Sequence, residues 1–127
     1  MSNSVLLLIA RILLSVMFIV AGLQKFGSIA GTAGYIASVG LPASTLLAWG
    51  AAAFEVIAGL AILTGFMTRY FAWALAAFCV FTGVLFHLQP ADQMQMILFM
   101  KNLTIAGGFI VLSLIGAGTL SVDARRA

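Results

Sequence analysis

One carboxylate, Glu55, lies near the middle of a long apolar stretch, WGAAAFEVIAGLAILTG, at residues 49–65. A charged side chain in the middle of a bilayer costs a few kcal/mol, so it normally faces protein or a wet cavity and has a partner there. Glu55 therefore has two candidate roles. It forms a buried ion pair, or it exchanges a proton inside the membrane.

A small set of other polar side chains lies in or beside apolar segments and could act with Glu55. The predicted binding residues are Arg11, Lys25, Glu55, His87, Lys101 and Asn102. The structural alternative is that these groups pair with one another and with lipid phosphates. For the two lysines, which lie near the ends of their segments, extension of the side chain to the membrane surface is the favoured interpretation.

The composition assigns the chain to the membrane. Of its 127 residues, 64% are hydrophobic and 7% are charged, whereas a soluble domain has about 25% charged residues. A membrane span needs about 20 mostly apolar residues, and four such segments are predicted, at residues 5–26, 45–65, 68–88 and 97–116. The predicted fold is all-α: an integral-membrane four-helix bundle that forms a single domain over residues 1–127.

Helical spacing predicts which side of three spans faces the bundle interior. In the first span this face contains Arg11, Ser15, Phe18, Gly22 and Lys25. In the second it contains Ala48, Ala52, Glu55, Gly59 and Ile62. In the fourth it contains Lys101, Ile105, Gly108 and Leu112, with Asn102 beside them. Small residues at such spacing allow close helix packing in a membrane.

The segment between the first two spans has no charged residue and is predicted to include a short helix in the membrane interface. Ile29, Tyr35, Ile36 and Val39 would form one side of it, and a tyrosine ring is favourable at that depth. Pro42 ends this segment. Further along, Thr68 is placed to cap the third span.

The distribution of lysine and arginine predicts the orientation, because cytoplasmic loops keep the excess of these residues. The side that holds both termini has Arg69, Arg125 and Arg126, and the opposite side has Lys25 and Lys101. Both termini are therefore predicted to be cytoplasmic.

The partner of Glu55 is predicted from depth in the membrane. Arg11 lies about 7 Å to the inner side of the midplane and Lys101 about 9 Å to the outer side, and Lys25 is more distant. The lean of side chains toward helix N-termini opposes the Arg11 pairing. Arg11 is nevertheless the preferred partner over Lys101, because a guanidinium binds a carboxylate with two parallel donors and stays charged when buried.

Several kinds of site are disfavoured. The single Cys79 provides neither a disulfide nor a set of zinc ligands. His87, with Met94, Met96 and Met100 following, suggests a soft-metal site only weakly, and no metal site is predicted. The net charge of +3 comes from scattered cations, so no nucleic-acid partner is expected.

The chain resembles the DoxX family of small bacterial four-helix membrane proteins. The matching segments, in order, are RILLSVMFIVAGLQKF, GLP, FEVIAGLAILTGFMTR, FH, FMKNLTIAGG and GAGTLSVD. They run from Arg11 to Asp123, and Arg11, Lys25, Glu55, His87 and Lys101 occupy positions typical of the family. The resemblance implies a bacterial inner-membrane bundle with a redox association, since the family includes the small membrane subunit of a thiosulfate:quinone oxidoreductase.

A redox role would need a carrier that the chain does not itself contain. One histidine cannot ligate a haem on both sides, and one cysteine cannot hold an iron–sulfur cluster or run a dithiol relay. No covalently bound cofactor is expected. A quinone is the candidate carrier, because five polar residues offer hydrogen-bond donors and a proton route in an apolar bundle: Lys25, Glu55, His87, Lys101 and Asn102. A redox protein would then be the partner.

The alternative function is a non-catalytic membrane scaffold or a small proton-coupled transporter in which Glu55 exchanges the proton. Membrane lipids are expected partners in either case. A homo-oligomer is also open, because small-residue faces allow bundles to associate.

Overall fold

The computed structural model describes residues 2–126 and contains, within that range, six α-helices and no strand. The helices are α1 (Asn3–Phe26), α2 (Ile29–Ser38), α3 (Ser44–Thr64), α4 (Thr68–Thr82), α5 (Gln93–Ile115) and α6 (Val122–Arg126). A π-helical segment, Gly83–His87, continues α4. Four helices are long and apolar enough to cross a membrane: α1, α3, α4 with its π-helical extension, and α5. The predicted all-α bundle with four spans is confirmed.

The boundaries of the first three spans agree with prediction to within two residues, but α5 begins at Gln93, four residues earlier than predicted. The cause is Asp92, whose Oδ1 accepts hydrogen bonds from the backbone N–H groups of Met94 (3.0 Å) and Gln95 (3.3 Å). This N-cap starts a helix in a polar segment that hydropathy alone leaves outside the span.

Two glycines allow α1 and α3 to pack closely as an antiparallel pair. A Cβ added to Gly22 would lie 2.9 Å from the backbone oxygen of Ala52 and 2.6 Å from a methyl group of Val56. A Cβ at Gly59 would lie 2.7 Å from Ile19. The absence of side chains at these two positions sets the register of the pair. The predicted interior faces of both helices are buried, apart from Lys25, which is partly exposed.

The other pair, α4 and α5, meets the first pair at a buried aromatic contact. The rings of Phe18 in α1 and Phe109 in α5 lie 5.6 Å apart, edge to face. The predicted interior face of α5 is wrong in part: Leu112 is buried as predicted, but Lys101 is exposed, and Ala106 and Phe109, which were not assigned to this face, are buried. Apolar residues and glycines surround most of this helix, so its sequence does not distinguish the protein face from the lipid face.

The connecting helix α2 covers the end of α3 opposite the termini, here called the distal end. Ala33 and Ile36 of α2 are buried against Ala48 of α3. Tyr35 is about half exposed, and its ring centroid lies 4.9 Å from that of Phe86. The short helix was predicted, but it packs against protein and closes the distal end of the bundle.

The C-terminal segment ties the other end of the bundle together. The carboxylate of Asp123 accepts hydrogen bonds from the backbone N–H groups of Met67 (2.7 Å) and Thr68 (2.9 Å), which begin α4. The Asp123 N–H donates to the carbonyl of Gly65, at 2.8 Å. The predicted cap at Thr68 is therefore wrong, because a carboxylate 55 residues away supplies the acceptor.

Asp123 is ionised more readily than an ordinary aspartate. Partial burial opposes its ionisation, but hydrogen bonds from the backbone of Thr68 and Met67 and the charge of Arg126 outweigh burial, so the pKa of Asp123 is lowered. This bond set, with the hydrogen bond from Thr119 Oγ1 to Ser4 Oγ (2.6 Å), holds both terminal segments at one end of the bundle.

We expect Gly22→Ala to destabilise the bundle by about 1–3 kcal/mol, because the added methyl group meets the α3 backbone. Unfolding in mixed detergent micelles measures the change. Gly107→Ala is the matched control, since a Cβ there has no atom within 4 Å. Equal stability of the two variants would contradict the close packing of α1 and α3.

We expect Asp123→Ala to lower stability at neutral pH by about 1 kcal/mol, the usual value of a helix cap. The pKa of Asp123 is lower in the folded protein than in the unfolded chain, where it is about 3.9. Ionised Asp123 therefore contributes fully to the free energy of unfolding above that pH, and the contribution is lost as the pH falls through the pKa of the folded state. The difference between wild type and variant, followed by thermal unfolding, should thus shrink below about pH 4. A difference that does not change with pH would contradict this role of the carboxylate.

Candidate functional site

A large cavity lies between α3 and α4 in the distal half of the bundle, with a volume of about 920 Å³. Three of the six predicted binding residues line it: Lys25 of α1, Glu55 of α3 and His87 at the end of the π-helical segment. Most of the remaining lining is apolar or aromatic. This combination of an apolar wall with a few polar groups is typical of sites for small organic ligands.

Lys25 and Glu55 form an ion pair in the wall of this cavity. Lys25 Nζ lies 2.8 Å from Glu55 Oε2, and the side chains are 29% and 6% exposed, respectively. An ammonium group has three N–H donors, and within residues 2–126 the Lys25 ammonium is paired with one side chain, Glu55. N–H donors of the ammonium therefore remain without a protein partner.

The predicted pairing of Glu55 with Arg11 is wrong, and so is the alternative pairing with Lys101. The glycine contacts align Gly22 of α1 with Ala52 and Val56 of α3. Glu55 thus lies about one helical turn from the level of Lys25. The helices are antiparallel and side chains lean toward their own N-termini, so the Lys25 and Glu55 side chains lean toward each other. The prediction compared the depth of each residue within its own span, and such depths do not give the relative shift of the two helices.

Arg11 lies instead at the end of the bundle that holds the termini. It is fully buried, and its Nη2 donates a 2.5 Å hydrogen bond to the carbonyl of Leu120. Its guanidinium also fills the space beside Gly65, where an added Cβ would collide with Nη1. Because Gly65 ends α3, the cation is close to the negative end of that helix dipole. Arg11 is thus separated from the cavity.

His87 is held at the cavity by its own hydrogen bond. Its Nδ1 lies 2.8 Å from Oε1 of Gln95 in α5. With that amide oxygen as acceptor, Nδ1 carries the proton and Nε2 is free to accept a hydrogen bond. His87 is the last residue of the π-helical segment Gly83–His87, and π-helical segments of this kind occur often at functional sites.

The two remaining predicted residues do not line the cavity. Asn102 Nδ2 donates to the carbonyl of Cys79 (3.1 Å) and to Oγ1 of Thr82 (3.4 Å), which itself lines the cavity. Asn102 therefore links α5 to the cavity wall. Lys101 is exposed on the outside of α5, so the structure does not bring it to the other charged groups.

The aromatic residues of the cavity are not among the binding residues predicted from the sequence. The ring centroids of Phe54 in α3 and Phe78 in α4 lie 5.1 Å apart and bridge the two helices. Tyr35 and Phe86 make the second pair, at the distal end. All four rings line the cavity. The spacing of these aromatic residues is that of ordinary core residues and does not point to a binding site. Only Phe54 has a position in the sequence that points to the site, because it directly precedes Glu55.

Potential metal ligands do not cluster at this site. Among residues 2–126, no three histidine, cysteine, aspartate or glutamate side chains lie close enough together to hold a metal ion. Cys79 is a free, buried thiol.

Comparisons with known proteins relate the chain to bacterial inner-membrane proteins. The family profile described as DoxX matches residues 6–88. The chain is 43% identical over 116 residues to the inner membrane protein YqjF of Escherichia coli, covering 91% of this chain and 88% of the relative. It is 40% identical over 129 residues to the inner membrane protein YphA of the same organism, covering 98% and 92%.

A more distant similarity joins part of the chain to a protein named for redox chemistry. The match is 37% identical over 62 residues to the putative oxidoreductase CatD of Bacillus subtilis, and it covers 49% of this chain and 45% of that protein. No solved structure matches the chain.

We expect Lys25→Met to destabilise the protein by about 3 kcal/mol, because it leaves the Glu55 carboxylate buried without a counter-charge. Glu55→Gln should cost less, since the Lys25 side chain it leaves is partly exposed. The double variant should recover much of the loss, because the coupling between paired charges is removed with both partners. Detergent unfolding of the three variants measures this.

Lys101→Met is the matched control, because Lys101 is exposed and lies outside the ion pair. Its stability should equal that of wild type. If Lys25→Met were as stable as this control, or if the double variant lost the sum of the two single losses, the buried ion pair would be refuted.

Proposed function

The chain belongs to the DoxX family of inner-membrane proteins, and from that premise we propose that it is a redox-associated membrane subunit that binds a quinone. The binding site is the cavity lined by Lys25, Glu55 and His87. The observation that carries this proposal is the ion pair in a mostly apolar wall, with unused N–H donors on Lys25.

The residues present fit a quinone head group. A quinone has two carbonyl oxygens that accept hydrogen bonds, and Lys25 offers N–H donors. His87 can accept a proton at Nε2 or donate one from it when doubly protonated. The aromatic side chains of Phe54, Phe78 and Tyr35 provide flat apolar surfaces for a ring. The cavity volume of about 920 Å³ falls within the range of ligand sites.

The protein would contribute binding, orientation and proton transfer. When bound, a quinone accepts two electrons and two protons. Lys25 would orient one carbonyl, and Glu55 would keep the lysine ammonium fixed by its charge. Of the titratable residues in the cavity lining, Glu55 and His87 would hold and release the proton at the ring. The apolar walls would exclude water from the reacting head group.

The electron donor would be a separate redox protein. The chain has one cysteine and one histidine, too few for a haem with two histidine ligands or for an iron–sulfur cluster. Electrons must therefore come from a partner that docks on the bundle. The similarity to CatD, named a putative oxidoreductase, supports a redox setting for half of this chain.

The orientation of the bundle gives the side of the membrane on which the cavity lies. If both termini are cytoplasmic, as the arginine distribution predicts, the cavity occupies the outer half of the bilayer. An electron donor would then reach it from the outer side.

We expect wild-type protein in lipid nanodiscs to bind a radiolabelled decyl-substituted benzoquinone with one site per chain. Lys25→Met should weaken binding about tenfold or more, because a charged hydrogen bond contributes about 1.5–3 kcal/mol. Lys101→Met, the matched lysine control, should bind as wild type does. Wild-type protein that binds no quinone, or equal binding by the two variants, would contradict the proposal and favour a scaffold.

A further inference from the structure

We infer that the groove between α3 and α4 is a lateral portal, through which a ligand with a neutral head group and a hydrocarbon tail enters from the bilayer. The inference rests on the proposed function and adds two features to it. It identifies the ligand as a tailed, uncharged quinone, and it places the tail between these two helices.

The lining residues of the groove range from exposed at its mouth to buried at Glu55. At the mouth, Leu46 of α3 is 72% exposed and Phe81 of α4 is 58% exposed. Ala51 and Ala74 lie deeper and are half-buried. Glu55, at the inner end, is only 5% exposed. The groove is therefore a continuous path from the outside of the bundle to the ion pair.

The mouth of the portal opens at the depth of lipid hydrocarbon. On α3 the mouth extends from Leu46 to Gly50, which is about 3 to 9 Å from the distal end of the helix. The whole helix is about 31 Å long, close to the roughly 30 Å thickness of the hydrocarbon core. Leu46, Gly50, Ala77 and Phe81 carry no polar side-chain atom. A hydrocarbon tail in this mouth would thus contact acyl chains on one side and apolar protein on the other.

The charges at the inner end select against a phospholipid. Lys25 and Glu55 neutralise each other, so a phosphate group brought to them would add an unbalanced charge in an apolar site, which is costly. A phospholipid also keeps its polar end at the membrane surface, whereas here Glu55 lies near the middle of α3 and the apolar side chains of Leu46 and Phe81 lie at the mouth. A compact neutral head with a tail that points outward fits both features.

Two glycines allow the portal to be tested without disturbing the fold. A Cβ built on Gly50 has no atom within 4 Å, so a larger side chain there extends into the groove. A Cβ on Gly107 of α5 also has no atom within 4 Å, but Gly107 is exposed and lies outside the cavity lining. Gly50→Phe and Gly107→Phe therefore add the same bulk to a helix at two different places.

The experiment measures the affinity of each protein in nanodiscs for two probes: a decyl-substituted benzoquinone and the same benzoquinone without the chain. We expect Gly50→Phe to weaken binding of the decyl probe about tenfold or more, because several methylene contacts are lost. Its affinity for the probe without a tail should stay within about twofold of wild type. Gly107→Phe should bind both probes as wild type does. Ala77→Phe, on the opposite wall, should reproduce the effect of Gly50→Phe.

The outcomes separate this inference from the proposed function. One outcome is that the wild type binds both probes and that Gly50→Phe and Ala77→Phe bind the decyl probe as tightly as the wild type does. This outcome overturns the portal and leaves quinone binding intact. Equal losses for both probes also overturn it, since the groove would then hold the head group. Native mass spectrometry that finds a phospholipid displaced by Gly50→Phe overturns the neutral ligand. Wild-type protein that binds neither probe overturns the proposed function, and the portal with it.

Discussion

The ion pair between Lys25 and Glu55 is the constraint around which the bundle is arranged. It joins two helices inside the membrane, and it requires α1 and α3 to meet in one register, which Gly22 and Gly59 provide. A buried ion pair adds little net stability, because removing two charges from a polar medium costs about as much as their attraction returns. The pair lies in the wall of a large cavity, where Lys25 keeps N–H donors that no other side chain within residues 2–126 accepts.

The two ends of the bundle differ in how firmly they are held. Near the termini, Arg11 binds the carbonyl of Leu120, and Asp123 caps α4 and bonds to the carbonyl of Gly65. These contacts hold α3 and α4 together beside the turn that joins them. At the distal end, no comparable polar contact links the two helices within residues 2–126. Phe54 and Phe78 bridge them at mid-length, and α2 covers the end. The cavity lies between α3 and α4 in the distal half of the bundle, away from these polar contacts.

The sequence predicts the architecture well and the site less well, for physical reasons that particular residues illustrate. Long apolar segments define four helices, because the membrane requires them, and the small-residue faces of α1 and α3 predict their packing. The partner of Glu55 depends on the relative shift of two helices, which depth within each span does not give. In α5, apolar residues occur on all sides, so Lys101 was placed inside when it lies outside. Asp123 caps a helix that begins 55 residues earlier in the sequence, and a contact over that distance cannot be predicted from the residues next to the helix.

The central claim is that Lys25 and Glu55 form an ion pair in the membrane at the wall of the cavity. Solid-state NMR of the protein in lipid bilayers, with a distance measurement between the side-chain nitrogen of Lys25 and the carboxyl carbon of Glu55, tests it most directly. We expect a strong dipolar coupling, because the nitrogen and the carboxylate oxygen are 2.8 Å apart. The absence of that coupling, or a coupling of the Glu55 carboxyl to the guanidinium of Arg11 instead, would contradict it.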